Sequence, residues 1–259
     1  MTAAGSPITS AVILAAGRGT RLAGHVDDRP KGFLQLGEVP IIEESIERLV
    51  MAGIRDVLIV TGHCAGHYEE LARRRAGLVR TVHNPRFADS GSMYSLYCAR
   101  GVVGGPFLLL ESDLVYELRA LTHLLDYPAP DAILLSGPTA AGDEVYVEVQ
   151  DGQLLNMSKR LDALGPGVAG ELVGISKISA ELYGRMCAIA ECAFATSLQY
   201  DYETDCLVAA GREQGIACPV VPDLVWGEID DPSHLARVRD TVYVEVHRRT
   251  KAAAGRAAL

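Results

Sequence analysis

Ala11-Val12-Ile13-Leu14-Ala15-Ala16-Gly17-Arg18-Gly19-Thr20-Arg21-Leu22 decides the fold. Six apolar residues run unbroken and stop at a glycine, which is how a strand buried on both faces reads. A Gly-rich loop with two arginines follows, and Pro30-Lys31 lies a few residues on. Glycines let backbone N–H groups approach a phosphate chain and form an anion nest. Arg21 and Lys31 supply the charge that a triphosphate needs. The loop lacks the third glycine of a dinucleotide fingerprint and the Gly-Lys-Ser/Thr of a P-loop.

Outward from this strand, Ile41, Ile42, Ile46, Leu49 and Val50 repeat at helical spacing, and Gly53 ends that helix. Val57 to Val60 reads as a second buried strand. A helix over 68–75, a strand over 79–83 and a helix over 92–100 follow. Phe107-Leu108-Leu109-Leu110 is a third buried strand, then come a helix over 118–125 and a strand over 132–135. Strands alternating with helices predict a parallel sheet with helices on both faces. Beyond 136 the pattern changes. Val145 to Val149 alternates, Asp151-Gly152 turns, and Gln153-Leu154-Leu155 returns, a hairpin signature. A loop over 161–170, a strand over 172–178, helices over 180–193 and 205–214, a strand over 216–221 and a last helix over 233–249 complete the reading. The fold class expected is α/β, a mostly parallel sheet with helices on both faces and a small β-hairpin insertion. No linker divides the chain. A single domain is expected over 1–250, with 251–259 as a frayed tail.

The chain of 259 residues has 49% hydrophobic and 22% charged residues, so it packs as a globular protein. Twenty-four basic against 33 acidic residues give a net charge of −9. A field of that sign repels nucleic acid and anionic membrane, and neither is expected as a partner. No run reaches the roughly 18–20 apolar residues of a membrane span. Met1 to Ser10 has no Lys, Arg or long apolar core, so no signal peptide is expected and the location expected is cytoplasmic. The six cysteines have no metal-site spacing and read as small buried hydrophobes in a reducing compartment. His63, His67, His83, His123, His234 and His247 show no metal spacing either, and Arg73-Arg74-Arg75 reads as a solvated helix end.

Leu14-Ala15-Ala16-Gly17-x-Gly19-x-Arg21 with Pro30-Lys31 resembles the nucleotidyltransferase family of sugar-phosphate type, the MobA-like NTP transferases. That family includes sugar-1-phosphate nucleotidylyltransferases, a molybdopterin guanylyltransferase and bacterial phosphocholine cytidylyltransferases. Later segments are similar to the phosphocholine and 2-aminoethylphosphonate cytidylyltransferase branch. Asn84-Pro85 precedes Ser92-Met93-Tyr94-Ser95-Leu96, although Gly91-Ser92-Met93 stands where Asn-Asn and an aliphatic residue are common. Glu111-Ser112-Asp113 ends the third buried strand, where a carboxylate faces the ligand crevice of a parallel sheet. Trp226-Gly227-Glu228-Ile229-Asp230-Asp231 matches the Glu-Ile-Asp of the branch, and Gly174-Ile175-Ser176-Lys177 its Gly-Ile strand beside the acceptor.

The resemblance implies a Rossmann-like mixed, mostly parallel sheet whose hairpin insertion serves an acceptor, with 11–136 as the nucleotide half and 137–240 as the acceptor half. It implies a transfer of CMP from CTP to a small phosphonate or phosphate ester, with pyrophosphate released. It implies Mg²⁺ on Asp113 and Asp230, with Asp231 instead capping the helix begun by Pro232. Lys31 and Arg21 are the catalytic cations. Leu14, Ala15, Ala16, Gly17, Arg18, Gly19, Thr20, Ser92, Ser95 and Ser112 are placed at the nucleotide. Lys159, Ser176, Tyr202, Glu203, Trp226 and Glu228 are placed at the acceptor. A choline-type or aminoalkyl acceptor wants aromatic faces and carboxylates, as Tyr200 to Asp205 and Trp226 provide. An acceptor with its own carboxylate or hydroxyl wants Lys159, Arg160, Lys177 or Ser176. Both sets are present, and a homodimer is left open. The alternatives are a guanylyl- or sugar-1-phosphate nucleotidylyltransferase of the same fold, or a non-catalytic nucleotide-sensing module.

Overall fold

The computed structural model describes residues 7–22 and 29–257. Most of the N-terminal segment in which no signal peptide is expected, and the last two residues of the expected tail, lie outside the described residues. The elements are β1 (Ser10–Ala15), α1 (Ile41–Met51), β2 (Asp56–Thr61), α2 (Ala65–Arg74), β3 (Val79–His83), α3 (Ser92–Cys98), β4 (Phe107–Glu111), β5 (Leu114–Tyr116), α4 (Leu118–Asp126) and β6 (Ala132–Ser136). They continue with β7 (Tyr146–Gln150), β8 (Gln153–Ser158), β9 (Val168–Ile178), α5 (Ala180–Phe194), α6 (Val208–Gly211), β10 (Val220–Val221), β11 (Trp226–Glu228), α7 (Pro232–Arg237) and α8 (Tyr243–Ala257).

Among the described residues the main sheet runs in the order β10-β6-β9-β4-β1-β2-β3. β1 lies near its centre, parallel to β2 and to β4. Its residues alternate between two cores: Val12 and Leu14 pack on the face covered by α3 and α5, Ala11, Ile13 and Ala15 on the face covered by α1, α2 and α4. That two-sided burial is why the strand reads as a continuous apolar run. Ile13 is fully buried, worth about 1.5–3 kcal/mol of transfer free energy. The mixed, mostly parallel sheet with helices on both faces agrees with the sequence expectation. The hairpin β7–β8 turns at Asp151-Gly152 and pairs through β7 with β9.

Four boundaries differ from the sequence reading. β9 begins at Val168, inside the expected loop, because Val168 and Gly170 pair with β7. The helix expected over 205–214 starts earlier, as a π-helical turn Tyr202–Leu207 leading into α6. Asp201 caps it, accepting from the N–H groups of Glu203 and Thr204 at 2.8 and 3.1 Å. The strand expected over 216–221 shrinks to β10, since Pro219 has no N–H to give a ladder. The last helix is a short α7, a π-helical stretch Val238–Val242 and α8. α8 continues to Ala257 where a frayed tail is expected, and Lys251-Ala252-Ala253-Ala254 is good helix-forming sequence.

Of the cysteines, Cys206 and Cys218 are buried as expected, while Cys192 is exposed because it falls off the face of α5 that buries Met186 and Ala190. Arg73, Arg74 and Arg75 are not merely solvated: Arg73 pairs with Glu70, and Arg74 and Arg75 join α2 to Glu43 and Glu47 of α1. Among the described residues no helix is long and apolar enough to cross a membrane.

Candidate active site

β1 ends where the Gly-rich loop begins, at the carboxyl edge of the parallel strands. Gly19 takes a left-handed φ of +59°, and an added Cβ there would lie 3.3 Å from Cγ of Lys31. The loop closes with a 3₁₀ turn, Thr20–Leu22, and a second turn, Lys31–Phe33, presents Lys31. At the end of β4, the Ser112 N–H donates to the Leu14 carbonyl and locks the two strand ends together.

The central feature is a set of charges drawn from three distant parts of the chain. β5 pairs antiparallel with β11, with Leu114 opposite Glu228, and the Ile229 N–H donates to the Asp113 carbonyl. This small ribbon sets Asp113 beside Asp230. The Lys31 ammonium donates to Asp113 Oδ2 at 2.8 Å and also to Asp230 Oδ1. Arg21 Nη2 reaches Asp230 Oδ2 at 2.8 Å. Carboxylate oxygens of Asp113, Glu228 and Asp230 lie within 4.8 Å of one another. All three donors are hard oxygens, the set that suits a hard divalent cation such as Mg²⁺. Glu228, expected at the acceptor, thus stands with the two predicted metal carboxylates.

Crowding of like charges shapes the electrostatics. Burial alone would lower the Lys31 pKa, and Asp113 and Asp230 outweigh it and raise the value. Burial alone would raise that of Asp230, and Lys31 and then Arg21 hold it below the usual carboxylate range. Glu111 and Glu228 are both raised well above their ordinary value, by burial first and neighbouring carboxylates second. Glu203 is pushed up to about 7 by burial, then by Asp201.

These charges stand at the junction of two cavities. The larger, about 390 Å³, is lined by the expected nucleotide residues Leu14, Ala15, Ala16, Gly17, Gly19, Thr20, Ser92, Ser95 and Ser112, and by Arg21, Lys31, Asp113 and Asp230. Tyr202, Glu203, Lys159 and Glu228 line it as well. A smaller side pocket, about 90 Å³, shares Lys159, Glu203, Glu228 and Asp230 and adds Trp226. Ser92 at the start of α3 is held rather than free: its hydroxyl donates to Asp201 Oδ2 and accepts from the Tyr202 N–H. Ser95 Oγ accepts from Asn84, which is fully buried.

Two expected site residues are not brought to either cavity. Arg18 is exposed and lines neither. Ser176 is buried in β9 between Leu109 of β4 and Ile133 of β6. The reason is direction: β9 runs antiparallel to β4, so Leu172, Val173 and Gly174 reach the side pocket while Ser176 lies further back in the sheet. Lys177 is spent on the Tyr127 carbonyl and Arg160 on Asp162.

Other lining residues were missed. Tyr68 and Phe87 enter from α2 and from the turn after Asn84-Pro85, with no local motif to announce them. Glu111 lines the larger cavity too, from the Glu111-Ser112-Asp113 segment but with no role expected of it, as does Asp201 of the aromatic and acidic stretch expected at the acceptor. Thr139, Asp143, Glu144 and Arg237 of the side pocket carried no signal. His234 is buried, as a core role implies, yet its ring also groups with Asp143 and Asp230 within 4.8 Å.

Asp231 caps α7, accepting from the N–H groups of Ser233 and His234 at 2.8 and 2.9 Å. The Ser233 hydroxyl and those amides hold its pKa down to about 2. Asp231→Asn is therefore expected to keep activity and to lower the thermal midpoint slightly at neutral pH. A carboxylate depressed on folding stabilises above its unfolded pKa of about 3.9. The gap to wild type should close as pH falls from about 4 to about 2, read by thermal unfolding across that range.

Residues 11–162 match the profile of the MobA-like NTP transferase domain, and the chain belongs to that family. It is 31% identical over 238 residues to CMP-5'-(3-aminopropyl)phosphonate synthase of Streptomyces rubellomurinus, covering 86% of this chain and 37% of that protein. It is 35% identical over 107 residues to choline-phosphate cytidylyltransferase of Streptococcus pneumoniae, covering 41% of this chain and 46% of that protein. The matches thus span less than half the length of these two relatives. The inositol-1-phosphate CTP transferase of T. maritima superposes with a TM-score of 0.77 at 18% identity, over 91% of this chain and 95% of that one, and so shares the fold.

Proposed function

We propose that this chain is a Mg²⁺-dependent cytidylyltransferase that moves CMP from CTP onto a small phosphonate or phosphate-ester acceptor. The observation that carries the reading is the Lys31 ammonium clasped by Asp113 and Asp230 where the Gly-rich loop and the side pocket meet. A site that joins two anions needs charge neutralisation and alignment more than a covalent nucleophile. In this reading CTP lies in the larger cavity and the acceptor enters from the side pocket.

An acceptor oxygen attacks the α-phosphorus in line. The new P–O bond forms as the α–β anhydride bond breaks, and pyrophosphate leaves with the bonding pair. The acceptor is already ionised near neutral pH, so no general base is needed. Lys31 stabilises the charge on the α-phosphate, while Arg21 and the amides of 17–20 hold the departing phosphates. Asp113 and Asp230, with Glu228 beside them, would hold Mg²⁺, which supplies further charge neutralisation at the reacting phosphates. The reading includes a single domain over 1–250, its nucleotide half at 11–136 and its acceptor half at 137–240. It also includes a cytoplasmic location, where CTP is at hand.

Pyrophosphate release with each of the four ribonucleoside triphosphates tests the reading, against a panel of small phosphonates and phosphates. CTP should lead GTP and UTP clearly. Equal turnover with GTP or UTP counts against cytidylyl specificity, and a sugar-1-phosphate as preferred acceptor would move the assignment to a sugar enzyme. Nucleotide binding without turnover on any acceptor would point to a sensing module.

A further inference from the structure

The side pocket holds a cation that forms no ion pair among the described residues. Arg237 closes α7 and lines this pocket, and its buried Nε has no hydrogen-bond partner. Among the described residues no ion pair engages its guanidinium, although its charge is felt by the Glu171 carboxylate, whereas Arg21 and Lys31 already have carboxylates in contact. The group lies over the backbone of β11: a Cβ added to Gly227 would sit 3.2 Å from Nη2. The buried Nε is closed off from the pocket, so a planar, two-oxygen acceptor would meet the two Nη groups of the guanidinium, which match it in geometry.

The rest of the lining argues against a simple anion. Glu111, Asp143, Glu144, Glu203, Glu228 and Asp230 share the wall with Arg237, and the other lining cation, Lys159, is exposed. A carboxylate alone would meet that negative charge, and an ammonium alone would leave Arg237 unpaired. A short group bearing both answers both, and the small volume suits it.

We infer that the acceptor is an amino-acid-like phosphonate or phosphate, with its carboxylate on Arg237 and its ammonium toward Asp143 and Glu144. This rests on the cytidylyl-transfer reading and narrows it from an open set of acceptors to a zwitterionic one. Arg237 is then a specificity residue for an acceptor charge remote from the reacting oxygen.

Three matched acceptors test it with CTP and Mg²⁺: 2-aminoethylphosphonate, 3-phosphonopropionate, and 2-amino-3-phosphonopropionate, which carries both groups. The KM of wild type for the last should be about ten- to a hundredfold below that for either of the others, the span of a hydrogen-bonded charge. Arg237→Met should erase its advantage over 2-aminoethylphosphonate with little change in kcat, and Arg237→Lys should restore part of it. Equal KM values for wild type would overturn the inference. So would an Arg237→Met variant that raises KM equally for all three, since the guanidinium would then be holding the phosphonate itself. The wild-type comparison decides alone if Arg237→Met does not fold. Pyrophosphate release by wild type with none of the three, nor with any wider panel, would be a different failure: it removes the cytidylyl-transfer reading, and this inference with it.

Discussion

Lys31→Ala is expected to lose roughly 10²–10³ in turnover at saturating substrate, the usual loss for a group aimed at charge that develops in the transition state. The sequence alone makes Lys31 a loop residue that packs little, so the fold would be indifferent to its loss. The structure changes that expectation. Lys31 is the cation between Asp113 and Asp230, and its side chain is only 17% exposed. Without it two buried carboxylates face each other and Glu228, and breaking a buried pair in this way costs up to roughly 3–5 kcal/mol. The thermal midpoint should therefore fall together with kcat. Asp230 is held below its ordinary pKa chiefly by Lys31 acting against burial. That contribution exists above the unfolded pKa and is lost as pH falls through the folded one, so the stability gap to wild type should narrow in acid. Near-normal turnover would remove Lys31 from the chemistry. An unchanged midpoint would mean that solvent or an ion takes over its charge.

The second large effect belongs to Asp113 and Asp230. Each Asp→Asn change keeps size and removes a charge, and each should cut activity by at least roughly a hundredfold. The double variant should be little worse than the poorer single one, because ligands of one ion act as a unit and their losses do not add. Binding of Mn²⁺, followed by its paramagnetic resonance, should weaken in both single variants and give a readout free of turnover. Asp231→Asn is the control. Full activity in Asp230→Asn beside a dead Asp231→Asn would move the ligand by one residue, and full activity in Asp113→Asn would dismiss the metal site.

What the sequence revealed and what it hid divide along a physical line. Ala11 to Ala16 was legible because burial on both faces leaves a local trace, and the glycines and cations after it carry their chemistry with them. Asp113 and Asp230 were legible as motifs. The sense of β9 was not, because strand direction depends on distant partners, and Ser176 was misplaced by that single unknown. The start of β9 was hidden too: Gly165, Gly167 and Gly170 look like loop, yet pairing with β7 draws the last of them into the sheet. Glu228 was legible as a motif residue, though only the β5–β11 ribbon shows it beside Asp113 and Asp230, whereas Arg237 bears a charge that any surface helix could carry and only the packing of α7 brings it to the side pocket.

That ribbon also sets the order in which the molecule becomes competent. Lys31 and Asp113 precede Asp230 by a long stretch of chain, and Asp230 is placed only when β11 pairs with β5. Such a long-range pairing closes late, since a wide loop of chain must be ordered before the contact repays it. A nascent chain halted before Trp226 has most of its sheet and the Gly-rich loop, but not the second carboxylate. Affinity for a divalent cation should therefore appear abruptly with that pairing, rather than grow in proportion to the length already made. Those three paired residues act as a latch whose closing completes the carboxylate set.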